Sequence, residues 1–576
     1  MDGGGGRPQT SRGWGAARRS AGRARGGRTT MRDRPGSGRM ALALAVLAAL
    51  APRAAAAQSP CEALAGATIP AGEIGLPSGG VTVTAARRIA AGPSPIAGNA
   101  DLPARCEVLG RVEPRQPASP PIVFQVNLPE EWNGRAVQYG GGGFNGVLIT
   151  GLAQLRENPP QAPHPLSRGF ATFGTDSGHQ NVPGVEIQAF ALDDEALENF
   201  THAAYPKVRD AAAAVMRRVA GRAPARVYYY GSSEGGREGL LVAQRYPERY
   251  DGVVSSVPVI NWVGLQGFGT RGGQMQREGA WLSPDAVRRL HDATLAACDA
   301  LDGLADGVVS NQPACRAAFS PRSLLCAGGA TEGCLGEASV RFLETHRAPY
   351  EYGMALANGL AAYPGAPIGG EAQPDGMNAW TTGPEAPRFP LPSPAVQSRQ
   401  WYYGNGAIRY FLARDASYDP ARFAMADFAE GARRLSAVMD ATDPDLSAFA
   451  RRGGRLLLKE HMADYAQSPG AGMAYWEAVR ARLGGEAVDG IARFYLHHGA
   501  NHSGIATDVA TGRALPGFVD LLGVLDAWVE GGTPPGPLVQ TTADGAASRP
   551  LCRYPAYPHF GGGDPARAES FACRAP

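Results

Sequence analysis

Between about Val81 and Ser255, short apolar runs alternate with segments of helical period. Pro121–Leu128, Gly134–Tyr139, Gly169–Asp176 and Arg226–Gly231 are rich in β-branched and aromatic residues and bounded by glycine, proline or aspartate, which predicts strands. Pro206–Val219 carries its apolar positions at helical spacing around a run of alanines and predicts a helix. Strands alternating with helices imply a mainly parallel sheet covered on both faces. From about Val257 to Phe449 that rhythm is lost, and the chain becomes rich in glycine, proline and aromatics. It resumes at Gly454 with the strand Arg455–Lys459, a helix around Met473–Leu483 and the strand Arg493–Leu496. The simplest organisation is an α/β core formed by residues 58–256 and 450–576, interrupted by an inserted cap over 257–449.

The first segment, 1–57, belongs to neither part. Met40 opens an apolar, alanine-rich run behind Arg32, Arg34 and Arg39, with a small-residue site near Ala55–Ala57, which is the layout of a secretory signal peptide. The Gly/Arg-rich residues before Met40 read as an over-extended start, with Met31 or Met40 the true beginning, rather than as a nucleic-acid-binding arm. An exported protein, secreted or periplasmic, is expected. The apolar run is too short to span a membrane comfortably, and no later segment is long enough. A net charge of +2 gives no electrostatic case for a nucleic-acid partner. Nothing in the sequence specifies an oligomeric state. The eight cysteines fall into neighbouring pairs, so disulfides are expected for Cys61–Cys106, Cys298–Cys315, Cys326–Cys334 and Cys552–Cys573. A zinc site is disfavoured because no close C-x-x-C spacing is present.

Candidate chemistry begins at Gly231-Ser232-Ser233-Glu234-Gly235, where a predicted strand breaks into a predicted helix through G-x-S-x-G. That turn is so tight that side chains at the flanking positions would meet neighbouring backbone, which is why glycines stand there. Ser233 is the candidate nucleophile. Its partners should follow in the order acid, then histidine, on loops after later strands. Asp464 lies after the strand Arg455–Lys459, and His502 lies in a glycine-flanked loop after Arg493–Leu496. His461, His497 and His498 compete for the imidazole role; His497 and His498 sit at the strand end, where packing or substrate-side roles are more natural. An oxyanion hole would use the Glu234 main-chain N–H and one from Gly140–Gly143, with Gly141 and Gly142 the candidates. No Gly-Lys-Ser/Thr follows those glycines, so a phosphate loop is excluded.

Leu128–Gly146, the elbow Gly231–Gly239 with Ala243–Val253 behind it, Ala463-Asp464 and Gly499–Gly504 together resemble the tannase and feruloyl esterase family of α/β-hydrolases, with similarity running from about Cys61 to the C-terminus. The resemblance implies a serine esterase acting on small aromatic carboxylic esters, with a cap over the substrate. An acyltransferase using the same triad, or a catalytically impaired binding homologue, are the alternatives. The family usually carries a cysteine before the nucleophile and another after the histidine, joined as a disulfide; here Ser232 and Ser503 stand in those places. In the chain-entropy model such a bridge contributes about 4–5 kcal/mol. A direct or water-mediated hydrogen bond between the two serines is the expected substitute. Glu460-His461 also departs from the family's usual His-Gly, with an expected effect on the acyl pocket.

The cap segment Cys298–Ser310 places Asp299, Asp302 and Asp306 where a tight loop could converge their carboxylates. It is no EF-hand, because Leu304 and Pro313 occupy ligand positions of that motif. The resemblance implies a structural Ca2+ held by Asp299, Asp302, Asp306 and the main-chain carbonyls of Leu304 and Val308. For the aromatic acyl group, Arg399, Trp401, Trp380 and His461 are the candidate contacts, with Tyr402, Tyr403 and Arg409 nearby in sequence.

Overall fold

The computed structural model describes residues 59–328, 330, 332–388 and 397–576. The leader expected over 1–57 lies outside them. The strands, in chain order, are β1 (Thr68–Ile69), β2 (Val81–Ile89), β3 (Arg105–Val112), β4 (Ile122–Pro129), β5 (Arg135–Tyr139), β6 (Ala171–Thr175), β7 (Arg226–Ser232) and β8 (Gly252–Ser256). After them come β9 (Tyr350–Glu351), β10 (Ala362–Tyr363), β11 (Arg455–His461), β12 (Ala492–His497), β13 (Leu538–Thr541), β14 (Ser548–Arg553), β15 (Tyr557–Phe560) and β16 (Phe571–Arg574). Twelve of them form one sheet in the order β1-β2-β3-β4-β6-β5-β7-β8-β11-β12-β14-β13. The centre, β6-β5-β7-β8-β11-β12, is parallel. Both flanks are antiparallel. β2, β3 and β4 succeed one another with no helix between them, so each returns as a hairpin partner, whereas parallel pairing needs a crossover.

The period-two alternation of the strands sets both core layers. On β7, Val227 and Tyr229 join the layer that also holds Phe173, Val253 and Leu458, while Tyr228 and Tyr230 join the opposite one with Val254, Leu457 and Tyr495. Helix Ala204–Ala220 lies over β4 and β6, helix Glu234–Arg245 over β7 and β8, and helix Leu521–Gly531 against β8 and β11.

After Ser256 the chain leaves the large sheet and returns to it at Arg455. The intervening residues form helices and the two-stranded β9–β10 ribbon around a second hydrophobic core. That core also takes in Phe144, Ala191, Phe200, Tyr465 and Ala471 from the flanking sequence, so the inserted segment shares its interior with loops of the sheet. Disulfides join Cys61–Cys106, Cys298–Cys315, Cys326–Cys334 and Cys552–Cys573. No helix among the described residues is long and apolar enough to cross a membrane.

Candidate active site

Ser233 follows β7 with φ 62° and ψ −125°, a conformation costly for a residue bearing a Cβ, and is the residue before helix Glu234–Arg245. The turn is held by close backbone packing. A Cβ on Gly235 would lie 2.7 Å from the Gly141 carbonyl oxygen, and one on Gly231 would overlap Gly235. The loops after β11 and β12 bring two further side chains to the serine. His502 Nε2 is 2.9 Å from Ser233 Oγ, and His502 Nδ1 is 2.7 Å from Asp464 Oδ2. A carboxylate only accepts, so Nδ1 carries the proton and Nε2 is left to accept from the serine hydroxyl. Asp464 is fully buried, and its other oxygen accepts the amides of Ala466 at 2.8 Å and Gln467 at 3.3 Å. The His502 turn is shaped by Asn501, whose Oδ1 accepts the amides of Ser503 and Ile505 at 3.0 and 3.1 Å.

These groups open into a cavity of about 250 Å³ walled by Phe144, Trp262, Leu265, Trp380 and Tyr403. A family model for tannase and feruloyl esterase matches residues 106–574. The chain belongs to the tannase and feruloyl esterase family. With that membership, it is a carboxylic ester hydrolase. An esterase of Agrobacterium fabrum is 35% identical, over 89% of this chain and 92% of its own. The mono(2-hydroxyethyl) terephthalate hydrolase of Piscinibacter sakaiensis is 31% identical, over 90% of this chain and 92% of its own. The solved feruloyl esterase B of Aspergillus oryzae superposes with a TM-score of 0.72 at 21% identity, covering 89% of this chain and 99% of that one, which shows the α/β-hydrolase fold.

Several expected roles are moved by the geometry of this tannase-family site. The Gly141 amide donates to Glu238 Oε2 at 3.0 Å and the Gly142 amide to Asn145 Oδ1 at 2.6 Å, so neither faces the cavity as a free donor. The Glu234 and Gly143 amides also line the cavity, and among the described residues neither has a hydrogen-bond partner. Ser232 and Ser503 do not bond to each other: Ser232 Oγ accepts from Arg156 Nη1 at 3.0 Å, and Ser503 Oγ donates to Asp375 Oδ2 at 2.6 Å. Each hydroxyl has found a charged partner, which outcompetes a neutral one. Of the candidate substrate contacts, Trp380 lies in the wall, 5.1 Å from the His502 ring. Arg399 stacks on Trp380 from outside the cavity and is paired with Asp375. Trp401 is fully buried inside the inserted segment, its indole N–H donating to Arg388, because its helix turns that face inward. Arg409 is held by Glu186 at 2.8 Å.

His461 and Glu460 also lie behind the site, both fully buried. Burial and the neighbouring Asp464 charge push the Glu460 carboxyl far above its ordinary range, leaving it neutral beside Gln467. His461 sits at 2.8 Å from the Asn501 carbonyl and 3.1 Å from Glu157 Oε1. Glu157 also meets Lys459 and accepts from Ser256 Oγ at 2.8 Å. Burial opposes its charge, but Lys459 and His461 hold the carboxyl well below the usual range. The Glu157–Lys459 pair in this cluster, behind the His502 turn, had no signal in the sequence. His497 and His498 are buried, and burial keeps both imidazoles neutral.

The Asp299–Asp306 loop packs beneath the same turn. A Cβ on Gly499 would lie 2.9 Å from Val308. Asp299 accepts the amides of Asp306 and Gly307, Asp302 that of Leu304, and Asp306 pairs with Arg549 at 2.6 Å. Burial, with Asp306 adding to it, raises the Asp302 carboxyl to about 6. Among the described residues no group of three or more His, Cys, Asp or Glu side chains is arranged as a metal site.

Proposed function

We propose that this protein is an exported serine esterase that hydrolyses esters of aromatic carboxylic acids through an acyl-enzyme on Ser233. The observation that carries it is the hydrogen-bond chain from Ser233 through His502 to Asp464 at the floor of an aromatic-walled cavity. His502 Nε2 takes the hydroxyl proton as Ser233 Oγ attacks the ester carbonyl. Asp464 holds the ring in the tautomer that can accept and stabilises its cation. The charge that develops on the carbonyl oxygen meets the N–H groups of Glu234 and Gly143. His502 then returns the proton to the departing alcohol oxygen, and a water activated by the same nitrogen releases the acid. Flat apolar walls suit an aromatic acyl group, and two relatives more than 30% identical are named for terephthalate and, as a probable activity, feruloyl esters. The disulfides favour an oxidising compartment, in line with the leader read from the sequence.

A structural Ca2+ at Asp299, Asp302 and Asp306, with the Leu304 and Val308 carbonyls, belongs to the same proposal. Three carboxyls lie in one loop with Arg549 the cation paired there, and burial disfavours the charge of Asp299 and Asp302; a hard dication offsets that deficit. It takes no part in the chemistry.

The function is tested by hydrolysis of methyl ferulate, methyl gallate and a terephthalate monoester by the wild type and Ser233→Ala. Turnover by the wild type with loss of about 10⁴-fold or more in the variant is expected. Equal turnover by both proteins would remove Ser233 from the mechanism.

A further inference from the structure

Among the side chains that line the cavity, Arg156 is the cation that the chemistry above leaves unused. Glu234 turns its carboxylate away to Arg237, and His502 is engaged with Ser233 and Asp464. The half-buried Arg156 guanidinium has one hydrogen bond to protein, from Nη1 to Ser232 Oγ, and among the described residues no carboxylate pairs with it.

The segment that presents Arg156 is unusually well fixed. Tyr230 Oη donates to the Arg156 carbonyl at 2.7 Å, and the Val519 amide to the Glu157 carbonyl at 2.8 Å. Glu157 itself has φ 65°, a left-handed conformation that a residue with a Cβ holds only where its surroundings enforce it. Here the enforcing contacts are those of its carboxylate with Lys459, Ser256 and His461. A cation aimed into a cavity from so rigid a base loses little freedom when it meets an anion.

The location says which part of the substrate it meets. A Cβ on Gly504 would lie 3.0 Å from Glu157 Cγ, so the 156–157 segment packs against the turn that carries His502. His502 hands its proton to the departing alcohol, whereas Phe144, Trp262, Leu265 and Tyr403 make the apolar wall. Arg156 therefore stands on the alcohol side.

We propose that Arg156 is a specificity-determining residue that receives a carboxylate carried by the alcohol part of the ester, so that aromatic esters of hydroxy acids are the preferred substrate class. The inference rests on the esterase reading of Ser233 given above. A guanidinium binds a carboxylate by two parallel charge-assisted hydrogen bonds, which an uncharged amide cannot reproduce.

The test compares benzoylglycolate with benzoylglycolamide, which differ only in that charge, and methyl 4-carboxybenzoate with methyl 4-carbamoylbenzoate, which move the charge to the acyl ring. Wild type, Arg156→Lys and Arg156→Gln are assayed on all four. The wild type is expected to prefer benzoylglycolate by about tenfold or more, chiefly through KM and less so at high salt. R156K should keep part of that preference and R156Q should bring the ratio to about one. No wild-type preference, an unchanged ratio in R156Q, or a preference confined to the acyl-ring pair would overturn the proposal. Calorimetric binding of the glycolate pair to Ser233→Ala, with and without R156Q, separates this from the esterase reading. Charge-selective binding lost with R156Q would uphold the subsite even if the wild type hydrolysed neither ester, and equal binding of the two would end it.

Discussion

The two sides of the cavity are built in different ways. On the sheet side, Ser233, Asp464 and His502 are set by strand ends and by turns closed with backbone and side-chain hydrogen bonds, and the buried Glu157–Lys459 ion pair, with His461 beside it, lies behind them. On the inserted side, no strand of the large sheet contributes. The wall is a set of aromatic rings, Trp262, Tyr403 and Phe411 around Phe144, which reaches in from the loop after β5, and Trp380 against Tyr403, at centroid distances of 5.5 to 6.2 Å. Ring contacts tolerate repacking, while a ladder-anchored turn does not. On the proposed reading, the chemistry and the alcohol-side selection by Arg156 stand on the rigid side, and the choice of acyl group on the adaptable one.

Substitutions on the two sides should therefore separate. The largest effect is expected from His502→Ala, which should lower kcat by about 10⁴-fold or more with little change in the thermal midpoint. A modest loss of activity would mean that another base serves Ser233. Next is Glu157→Gln, which leaves Lys459 buried without its anion and should cost about 3–5 kcal/mol in denaturant unfolding. Because the Glu157 carboxyl is held well below its ordinary 4.5, the stabilisation it contributes is complete above about pH 4.5 and fades as pH falls below that value. The thermal midpoint of the wild type should fall more steeply with acid than that of E157Q, and parallel curves would contradict the assignment.

The inserted side has its own buried carboxylate, Glu371, bonded to His291 at 3.2 Å and Arg347 at 3.0 Å and accepting the Gly369 amide at 3.0 Å. Arg347 keeps some contact with solvent, so Glu371→Gln should cost less, about 1–3 kcal/mol in the same unfolding measurement. A cost equal to that of E157Q would erase the distinction drawn between the two regions. Trp380→Ala should raise KM for aromatic esters by roughly tenfold while kcat changes little, since the ring contacts substrate and transition state alike. Removing Ca2+ with a chelator should lower the thermal midpoint by a few degrees, an effect absent in Asp302→Asn.

What could be read from sequence follows the same division. The elbow was legible because its backbone admits only glycine at Gly231 and Gly235, and the acid and histidine because α/β loops follow strands with their own hydrophobic signature. The parallel centre of the sheet was legible for the same reason, whereas its antiparallel flanks were not separated from it. Glu157 gave no signal, since its meaning comes from Lys459, 302 residues away in the chain. Arg399, Trp401 and His461 have the right chemistry for a substrate contact, but only packing decides that Asp375, the interior of the inserted segment and Glu157 claim them. The Gly141 and Gly142 amides were misplaced because Glu238 and Asn145 turn them aside, again a tertiary matter.

Arg237 gives the molecule a mechanical character. From the helix that follows Ser233 it donates to the carbonyls of Thr201 at 2.8 Å and Phe200 at 3.2 Å, and to that of Met439, in the inserted segment, at 3.0 Å, with its guanidinium fully enclosed. Swinging the inserted segment away would take the Met439 carbonyl from that guanidinium and leave a buried cation one acceptor short, so the segment is tied to the helix that follows Ser233. The wall of rings and the turn that carries Ser233 are thus fastened to each other by one side chain.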